Sequence, residues 1–221
     1  MSVQPLDTAT SLSTAMRVGS RADHEAAEGS TFMEELLGGR INEAGYAAYL
    51  QRLRPVYEAL ESVARELAAA GDPIASAVID PVLERLASID ADLEHWAPAT
   101  TDELDSPASA AYVARIRESA AWGGLFAAHH YTRYLGDLSG GQAIGRILDR
   151  AFSLDGAGIA FYDFTAIEKP KLYKDAYRAR LDDLGLSEDE IERVVAEVRV
   201  AFGMNQALFA ELSEQIETFR R

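Results

Sequence analysis

Hydrophobic residues recur along this chain at intervals of three and four, and no segment alternates between apolar and polar residues over more than a few positions. Intervals of three and four place apolar side chains on one face of a helix, whereas alternation is typical of a half-buried strand. The pattern therefore predicts an all-α protein. No repeat, linker or low-complexity stretch divides it, so we expect one domain over residues 1–221, with about 1–10 and 216–221 as candidates for disorder.

Capping residues, glycines and prolines predict where the helices begin and end, because each favours a particular helix terminus. The first helix is expected from Ser11 or Ser13 to Glu28. A short helix, FMEELL, should end at Gly38-Gly39, and Asn42 should cap a helix that reaches Gly71 with a kink at Pro55. Two more helices should start at Asp80-Pro81 and Ser106-Pro107. The remaining helices are expected from about Ser119 to Phe152, interrupted by glycines, from Pro170 to Leu184, and after a capping box formed by Ser187 and Glu190. The stretch DGAGIAFYDF is expected to be a loop with a short extended piece.

Composition excludes several functional classes. The chain has no cysteine, so disulfides, thiolate nucleophiles and cysteine-ligated metals are absent. No apolar run approaches the roughly 18 residues that a membrane span needs, and the N-terminus lacks a secretory-signal pattern. A formal net charge of −15 opposes wide contact with nucleic acid or an anionic membrane. We expect a cytoplasmic protein without a membrane anchor, in which an anionic ligand needs a local basic cluster.

One face of the first predicted helix combines a histidine with charged residues. Arg17, Arg21, His24 and Glu28 are separated by four, three and four positions, which stacks them along one side of a helix. A histidine beside two cations and a carboxylate can ligate iron while the cations meet anionic groups. An exposed face of ion pairs with an incidental histidine has the same spacing and is the more common case.

The segment YTRYLGDLSGGQ, residues 131–142, places glycines inside helix-forming sequence. Each costs about 1 kcal/mol relative to alanine within a helix. Gly136 and Gly140 would share a face, let a flat molecule approach the backbone and permit a kink; a loop between two helices is the alternative. Asp137 lies four residues after Arg133, so the two form either a plain helix ion pair or part of a buried site that orders water.

Three further features are weaker signals. Asn205 interrupts the apolar stripe of the last helix, which predicts a buried polar network or a device that fixes helix register. Lys174 and Arg178 share a face in an acidic chain, so they bind carboxylates or an acidic partner, or are simply solvated. The adjacent His129 and His130 point about 100° apart, so we expect one to pack and the other to face solvent.

Together these stretches resemble the haem oxygenase family, specifically its soluble bacterial members. YTRYLGDLSGGQ is similar to the family's distal-helix signature, and HEAAEGSTFM to its proximal-histidine segment. KLYKDAYRAR and AFGMNQALF are similar to its later motifs, and the resemblance runs in order from about residue 11 to residue 215. It implies a single-domain helical fold with haem between the first helix and a glycine-kinked distal helix.

The resemblance also implies roles for individual residues. His24 would ligate the haem iron with Glu28 as its partner, and Gly136 and Gly140 would lie over the distal haem face. Asp137 would anchor a distal water network with Tyr57, Tyr112, Thr132, Arg133 and Asn205. The residues expected to bind haem, mostly through its propionates, are Arg17, Arg21, Tyr131, Lys174, Arg178 and Phe202.

The implied reaction uses haem b as both cofactor and substrate. O₂ and external electrons would open the ring to biliverdin, CO and ferrous iron, with a ferredoxin or flavoprotein reductase as donor and no bound flavin or nicotinamide. A haem-storage protein is the alternative, although it would need neither Asp137 nor the glycines. A ferritin-like di-iron bundle requires Glu-x-x-His pairs, and none of the four histidines has a glutamate three residues before it.

Overall fold

The computed structural model describes residues 10–97 and 105–221, and these ranges contain twelve α-helices and no β-strand. The α-helices are α1 (Leu12–Gly19), α2 (Arg21–Glu28), α3 (Thr31–Leu37), α4 (Glu43–Ala70), α5 (Pro73–Val78), α6 (Leu86–Trp96), α7 (Pro107–Glu118), α8 (Gly123–His130), α9 (Gln142–Phe152), α10 (Pro170–Asp182), α11 (Glu188–Ser213) and α12 (Ile216–Phe219). Short 3₁₀-helices span Pro81–Leu83, Ser119–Ala121 and Ala160–Tyr162. The all-α prediction is confirmed.

Several helix starts follow the capping chemistry of the sequence. The Asn42 side chain accepts a hydrogen bond from the Gly45 amide at the start of α4. Ser106 caps α7 ahead of Pro107, and both hydrogen bonds of the capping box between Ser187 and Glu190 are present in α11. These bonds satisfy amides that have no partner within the helix, which is why short polar side chains mark helix starts.

The structure corrects some predicted boundaries. The first predicted helix is two helices, because Ser20 leaves helical geometry and its hydroxyl bonds the Met16 carbonyl at 2.7 Å, a competitor to the backbone ladder. Pro55 does not end its helix, because α4 continues from Glu43 to Ala70. The expected extended piece is the 3₁₀-helix at Ala160–Tyr162, and α10 ends at Asp182 rather than at residue 184.

The C-terminal residues are packed rather than disordered. Ile216 and Phe219 of α12 are buried, and the Arg221 amide bonds the Arg40 carbonyl at 3.0 Å. Apolar contact and backbone hydrogen bonds fix this segment against α4. The other expected disordered segment, 1–10, lies almost entirely outside the described residues.

The two long helices α4 and α11 organise the core. α4 packs against α6 and α7, and α11 packs against α1, α2, α3, α7 and α8. All eight residues of α8 are buried, so this helix runs through the interior. Across residues 10–97 and 105–221, no helix is both long and apolar enough to cross a bilayer.

Candidate active site

A cavity of about 840 Å³ lies between the N-terminal helices and the chain that follows α8. We call the side formed by α1 and α2 the proximal wall, and the side formed by residues 131–141 the distal wall. Residues from α3, α4, α9, α10, α11 and the 3₁₀-helix Ala160–Tyr162 complete the lining. Of the predicted site residues, the lining includes Arg17, Arg21, His24, Glu28, Tyr131, Thr132, Arg133, Gly136, Asp137, Gly140, Arg178, Phe202 and Asn205.

The proximal wall presents a histidine that is partly open to solvent. The His24 side chain is 52% exposed, and its Nε2 lies 3.7 Å from Glu28 Oε1, beyond hydrogen-bond distance. Phe202 of α11 supports the imidazole edge-on, with ring centroids 5.5 Å apart. The imidazole is therefore held in position at the cavity while its ring nitrogens keep access to a ligand.

The cations of the proximal wall are also exposed. Arg21 pairs with Glu25 at 2.8 Å, and both side chains are largely in solvent. Arg17 is exposed as well, and no ion pair or hydrogen bond of its guanidinium occurs in the described ranges. Exposed arginines beside a cavity are available to anionic groups of a ligand at little desolvation cost.

The distal wall is built from π-helical turns. Residues Tyr131–Leu135 and Asp137–Gly141 form two π-helical segments that join α8 to α9 through Gly136. The glycines were expected to kink the helix or open a loop. The structure excludes the loop, because the helix continues through both glycines in a widened, π-helical form. A π-turn adds a residue to each turn and turns side chains out of the α-helical register; such turns are frequent at functional sites.

Behind this wall lies a buried polar network centred on Arg133. Its guanidinium donates to Tyr57 Oη from Nη2 at 2.9 Å, to Asp137 Oδ1 at 3.3 Å and to Asn205 Oδ1 at 2.9 Å. The Tyr57 hydroxyl in turn donates to Asp137 Oδ2. Asn205 thus joins a polar network, and the Arg133–Asp137 pair is buried, not a surface ion pair.

Burial controls the protonation of this network. It raises the pKa of Asp137, and the Arg133 charge and the Tyr57 hydrogen bond oppose that shift. It also raises the pKa of Tyr57 well above its usual value, so the phenol stays protonated and serves as a donor. The arrangement keeps a carboxyl group with a raised proton affinity at the cavity without leaving it unpaired.

The glycines of the distal wall and of the start of α9 fall into two pairs with different causes. A Cβ at Gly141 would clash with the Tyr162 ring at 2.7 Å, and one at Gly145 would lie 3.1 Å from the Tyr162 Cβ, so packing against Tyr162 favours glycine at both positions. A Cβ at Gly136 or Gly140 would meet no atom within 4 Å, and neither residue has a positive φ. The fold itself therefore does not need glycine at either position. A flat ligand lying against this wall would need it, because a side chain there would occupy the space of the ligand, so the cavity fits a planar molecule such as haem.

The edge of the cavity near α10 adds further cations. Arg178 lines the cavity, whereas Lys174 does not and instead donates to Ser139 Oγ at 2.8 Å on the distal wall. Burial raises the pKa of Tyr131, and the charges of Arg178 and Arg17 oppose this shift. The Tyr131 hydroxyl therefore lies in the field of two arginines, an arrangement that suits carboxylates.

Two predicted network residues lie behind the wall instead of lining it. Tyr57 acts through Asp137 and Arg133. The Tyr112 hydroxyl is buried, and within the described ranges it has no hydrogen-bond partner, so it does not join the network directly. Thr132 lines the cavity, and its hydroxyl bonds the Ala128 carbonyl at 2.8 Å.

The prediction that one of His129 and His130 faces solvent is wrong. Because α8 is buried on all sides, both imidazoles are buried even though the two side chains point in different directions. His129 Nε2 lies 2.8 Å from Glu197 Oε1, and His130 Nδ1 lies 2.9 Å from the Tyr177 hydroxyl.

Sequence reasoning missed several lining residues, namely Val18, Met33, Leu37, Tyr49, Ile144, Tyr162 and Phe209. Helical periodicity identifies such side chains only as core candidates, since cavity lining and core packing have the same pattern. Tyr162 alone had an indirect signal. Gly141 and Gly145 lie four residues apart, which indicates a bulky partner packed on that helix face, but the sequence does not say which residue it is.

Comparison with known proteins agrees with this geometry. A family model described as heme oxygenase matches residues 10–211. Heme oxygenase 1 of Nostoc sp. is 39% identical over 207 residues, covering 92% of this chain and 86% of that protein. Heme oxygenase 1 of Synechocystis sp. is 38% identical over 205 residues, covering 91% and 84%.

Solved structures show the same relationship. The crystal structure of heme oxygenase-1 from Synechocystis sp. in complex with heme superposes with a TM-score of 0.87 at 35% identity and covers 94% of this chain and 95% of that one. The structure of heme oxygenase from Leptospira interrogans gives 0.85 at 35% identity and covers 91% and 99%. The half-exposed histidine, the wall of unobstructed glycines and the buried Arg133–Asp137 network thus occur in a chain that belongs to the haem oxygenase family.

Proposed function

We propose that this protein opens the haem ring with O₂ and external electrons, and releases biliverdin, CO and ferrous iron. The observation that carries the proposal is the pair Gly136 and Gly140, where neither φ nor protein packing calls for glycine. Bound haem would supply the iron at which O₂ is reduced and the ring that is opened. The residues of the chain would hold it, limit which groups approach it and deliver protons.

His24 is the proposed iron ligand. It is the one histidine that lines the cavity among the described residues, and Phe202 fixes its ring. Glu28 would orient the second ring nitrogen, as carboxylates commonly do for ligating histidines. The propionates would face Arg17, Arg21, Tyr131 and Arg178, with Lys174 near Ser139 at the same edge.

Asp137 is the proposed source of protons on the distal side. Gly136 and Gly140 would bring backbone close to the ring, and neither carries an acidic side chain, so these two positions could not deliver a proton. Asp137 would act through ordered water, with Arg133, Tyr57 and Asn205 holding the carboxyl group in position. Proton delivery would then depend on the position and the proton affinity of the Asp137 carboxyl group.

A titration of the purified protein with haemin tests the function. With ascorbate as reductant and O₂ present, the Soret band should disappear while a red-absorbing tetrapyrrole and CO accumulate. A Soret band that persists under these conditions would indicate haem storage and refute the proposal.

The variant His24→Ala tests the ligand assignment. It should bind haemin without the resonance Raman iron–histidine stretch of the wild type. His95→Ala is the matched control, because His95 is exposed and lies outside the cavity lining. An unchanged stretch in His24→Ala would reassign the ligand.

A further inference from the structure

Three tyrosines lie together on the α4 side of the cavity. Tyr46 and Tyr49 belong to α4, with their ring centroids 6.4 Å apart, and Tyr162 is the last residue of the 3₁₀-helix that follows α9. All three residues are buried. Tyr49 and Tyr162 line the cavity together with Arg133 and Asp137. We call Tyr46, Tyr49 and Tyr162 the tyrosine cluster.

Two hydroxyl groups of the tyrosine cluster have no hydrogen-bond partner. Tyr46 Oη and Tyr162 Oη are closed off from solvent, and neither atom makes a hydrogen bond within residues 10–97 and 105–221. Nearly all buried polar groups in folded proteins are hydrogen-bonded, so these two hydroxyls call for an explanation. Burial raises the pKa of both well above the usual value, and Tyr49 raises each further. Tyr49 is therefore a polar neighbour of both hydroxyl groups.

Packing of the aromatic rings does not explain the hydroxyl groups. The Tyr49 ring centroid lies 5.6 Å from that of Phe32 and 6.1 Å from that of Phe209. The Tyr162 ring centroid lies 4.7 Å from that of Phe161. Phenylalanine at either position would make the same ring contacts without burying an oxygen atom, which is costly when the oxygen has no partner. The oxygens of the tyrosine cluster therefore point to a polar role.

The fold fixes Tyr162 beside Asp137. The buried Asp92 carboxylate accepts hydrogen bonds at 2.8 Å from two consecutive amides of the 3₁₀-helix that carries Tyr162. A Cβ at Gly141 would lie 2.7 Å from the Tyr162 ring and 3.6 Å from the Asp137 Cβ, so the ring and the carboxylate side chain border the same point. The tyrosine cluster is thus held next to the distal network.

Tyr49 has two possible hydrogen-bond donors beside it. Burial raises its pKa, the charge of Arg133 is the largest opposing influence, and Tyr162 also lowers it. A donor beside a phenol favours the charged form and so lowers the pKa. Nη1 of Arg133 carries two N–H groups and bonds Asn205 alone within the described part of the chain. One N–H of Arg133 and the hydroxyl of Tyr162 are therefore available to the Tyr49 oxygen.

We propose that Tyr49 is a further positioning residue of the distal network. Its oxygen accepts hydrogen bonds from Tyr162 and from the second Nη1 N–H of Arg133, and its own hydroxyl donates to ordered water in the cavity. Water that accepts a bond from Tyr49 turns its own protons toward the Asp137 carboxyl group. The inference rests on the proposed function, because a positioned carboxyl group matters for catalysis only where protons are consumed.

A double-mutant cycle in the apoprotein tests the hydrogen bonds of Tyr49. Tyr49→Phe removes the acceptor shared by Tyr162 and Arg133, so it should lower the Tm by about 3 °C. Tyr162→Phe should lower it too, and the double variant should lose clearly less than the sum of the two losses. Tyr177→Phe is the matched control, because its buried hydroxyl bonds His130 at 2.9 Å instead, and its loss should add to that of Tyr49→Phe. An unchanged or raised Tm in Tyr49→Phe would overturn the proposal, since removal of an unbonded hydroxyl costs no stability.

The pKa of Asp137 distinguishes a positioning role from a purely structural one. Water that donates to the carboxylate favours its charged form, so Tyr49→Phe should raise the pKa of Asp137 by about half a unit to one unit. A ¹³C NMR titration of the apoprotein measures this value, with the carboxyl signal assigned by its loss in Asp137→Asn. Tyr177→Phe should leave the pKa at the wild-type value. The other groups that act on the carboxyl group are retained in both tyrosine variants, namely Arg133, Tyr57 and Arg85. The same pKa in Tyr49→Phe and wild type would overturn the positioning role.

The haem complex then tests whether this position matters for the reaction. With ascorbate as reductant, Tyr49→Phe should form biliverdin several-fold more slowly than wild type, and Tyr177→Phe should form it at the wild-type rate. Wild-type protein that forms biliverdin, together with an unchanged rate in Tyr49→Phe, would overturn the role of Tyr49 alone. Failure of the wild type would overturn the proposed function and with it the role in the reaction, whereas the Tm and pKa results come from the apoprotein and would stand.

Discussion

The proximal and distal walls of the cavity differ in how far their polar side chains are exposed to solvent and in how they are held in place. On the proximal wall, the side chains of His24, Arg21 and Glu28 are more than half exposed, and the only contact among them that reaches another helix in the described residues is the one between the His24 ring and Phe202. On the distal wall, Arg133 and Asp137 are buried and depend on residues far away in the sequence. The exposed wall can exchange water for a ligand at small cost, whereas the buried network must be complete before any ligand arrives.

The largest effect is expected when the buried network loses one partner. Asp137→Ala leaves the Arg133 charge buried and uncompensated, so it should lower the free energy of unfolding by about 3 kcal/mol. It should also reduce biliverdin yield roughly 100-fold, the scale of general acid catalysis, while haemin affinity and His24 ligation stay at wild-type values. Urea unfolding and product analysis measure the two effects. Normal biliverdin yield would contradict the water-network role.

The next largest effect concerns how the free energy of unfolding depends on pH, through His130, the last residue of α8 before the distal wall. Burial and the charge of Arg180 lower the pKa of His130 to about 3. Unfolded histidine titrates near pH 6.5, so between about pH 6.5 and 3 the unfolded state binds a proton that the folded state does not, and stability falls as pH falls. His130→Gln can still bond Tyr177 but cannot titrate.

We therefore expect the stability difference between pH 8 and pH 5 to shrink by about 2 kcal/mol in His130→Gln. Guanidinium unfolding at the two pH values provides the measurement, with wild type as reference. Identical pH dependence in both proteins would show that His130 takes up a proton in the folded state.

Alanine substitutions in the two glycine pairs should have smaller effects on the free energy of unfolding, and the two pairs should differ in the sign of the effect. Gly141→Ala places a methyl group 2.7 Å from Tyr162 and should lower the free energy of unfolding by about 1–2 kcal/mol. Gly140→Ala enters open space and should raise it by up to about 1 kcal/mol through helix propensity, while haemin affinity falls. Thermal unfolding of the apoprotein and a haemin titration distinguish the two. Loss of apoprotein stability in Gly140→Ala would remove the argument for a ligand-facing glycine.

The smallest effect belongs to the exposed proximal ion pair. Arg21→Ala breaks the contact with Glu25 and should leave the free energy of unfolding close to the wild-type value, because water screens an exposed ion pair. It should lower haemin affinity only slightly, and raised salt should reduce the difference from wild type. A large loss of stability or of haemin affinity would mean that Arg21 is far less solvated than the structure shows.

The sequence by itself determined the features that depend on near neighbours. Apolar periodicity predicted an all-helical chain, and capping residues predicted the starts of α4, α7 and α11. The spacing of Arg17, Arg21, His24 and Glu28 predicted a shared face, and the four residues do line one cavity even though Ser20 breaks their helix. Local hydrogen bonding and side-chain spacing decide these features, and both are legible in a few consecutive residues.

Only the tertiary structure decided which of the competing interpretations holds. Arg133 reaches its partners Tyr57 and Asn205 across 76 and 72 residues of sequence, so no local pattern distinguishes the buried Asp137 pair from a surface ion pair. Burial of both His129 and His130 depends on what surrounds α8, not on their own spacing. The different causes of the two glycine pairs depend on where Tyr162 packs. Burial and long-range contact are properties of the assembled chain, because each depends on atoms that local sequence does not contain.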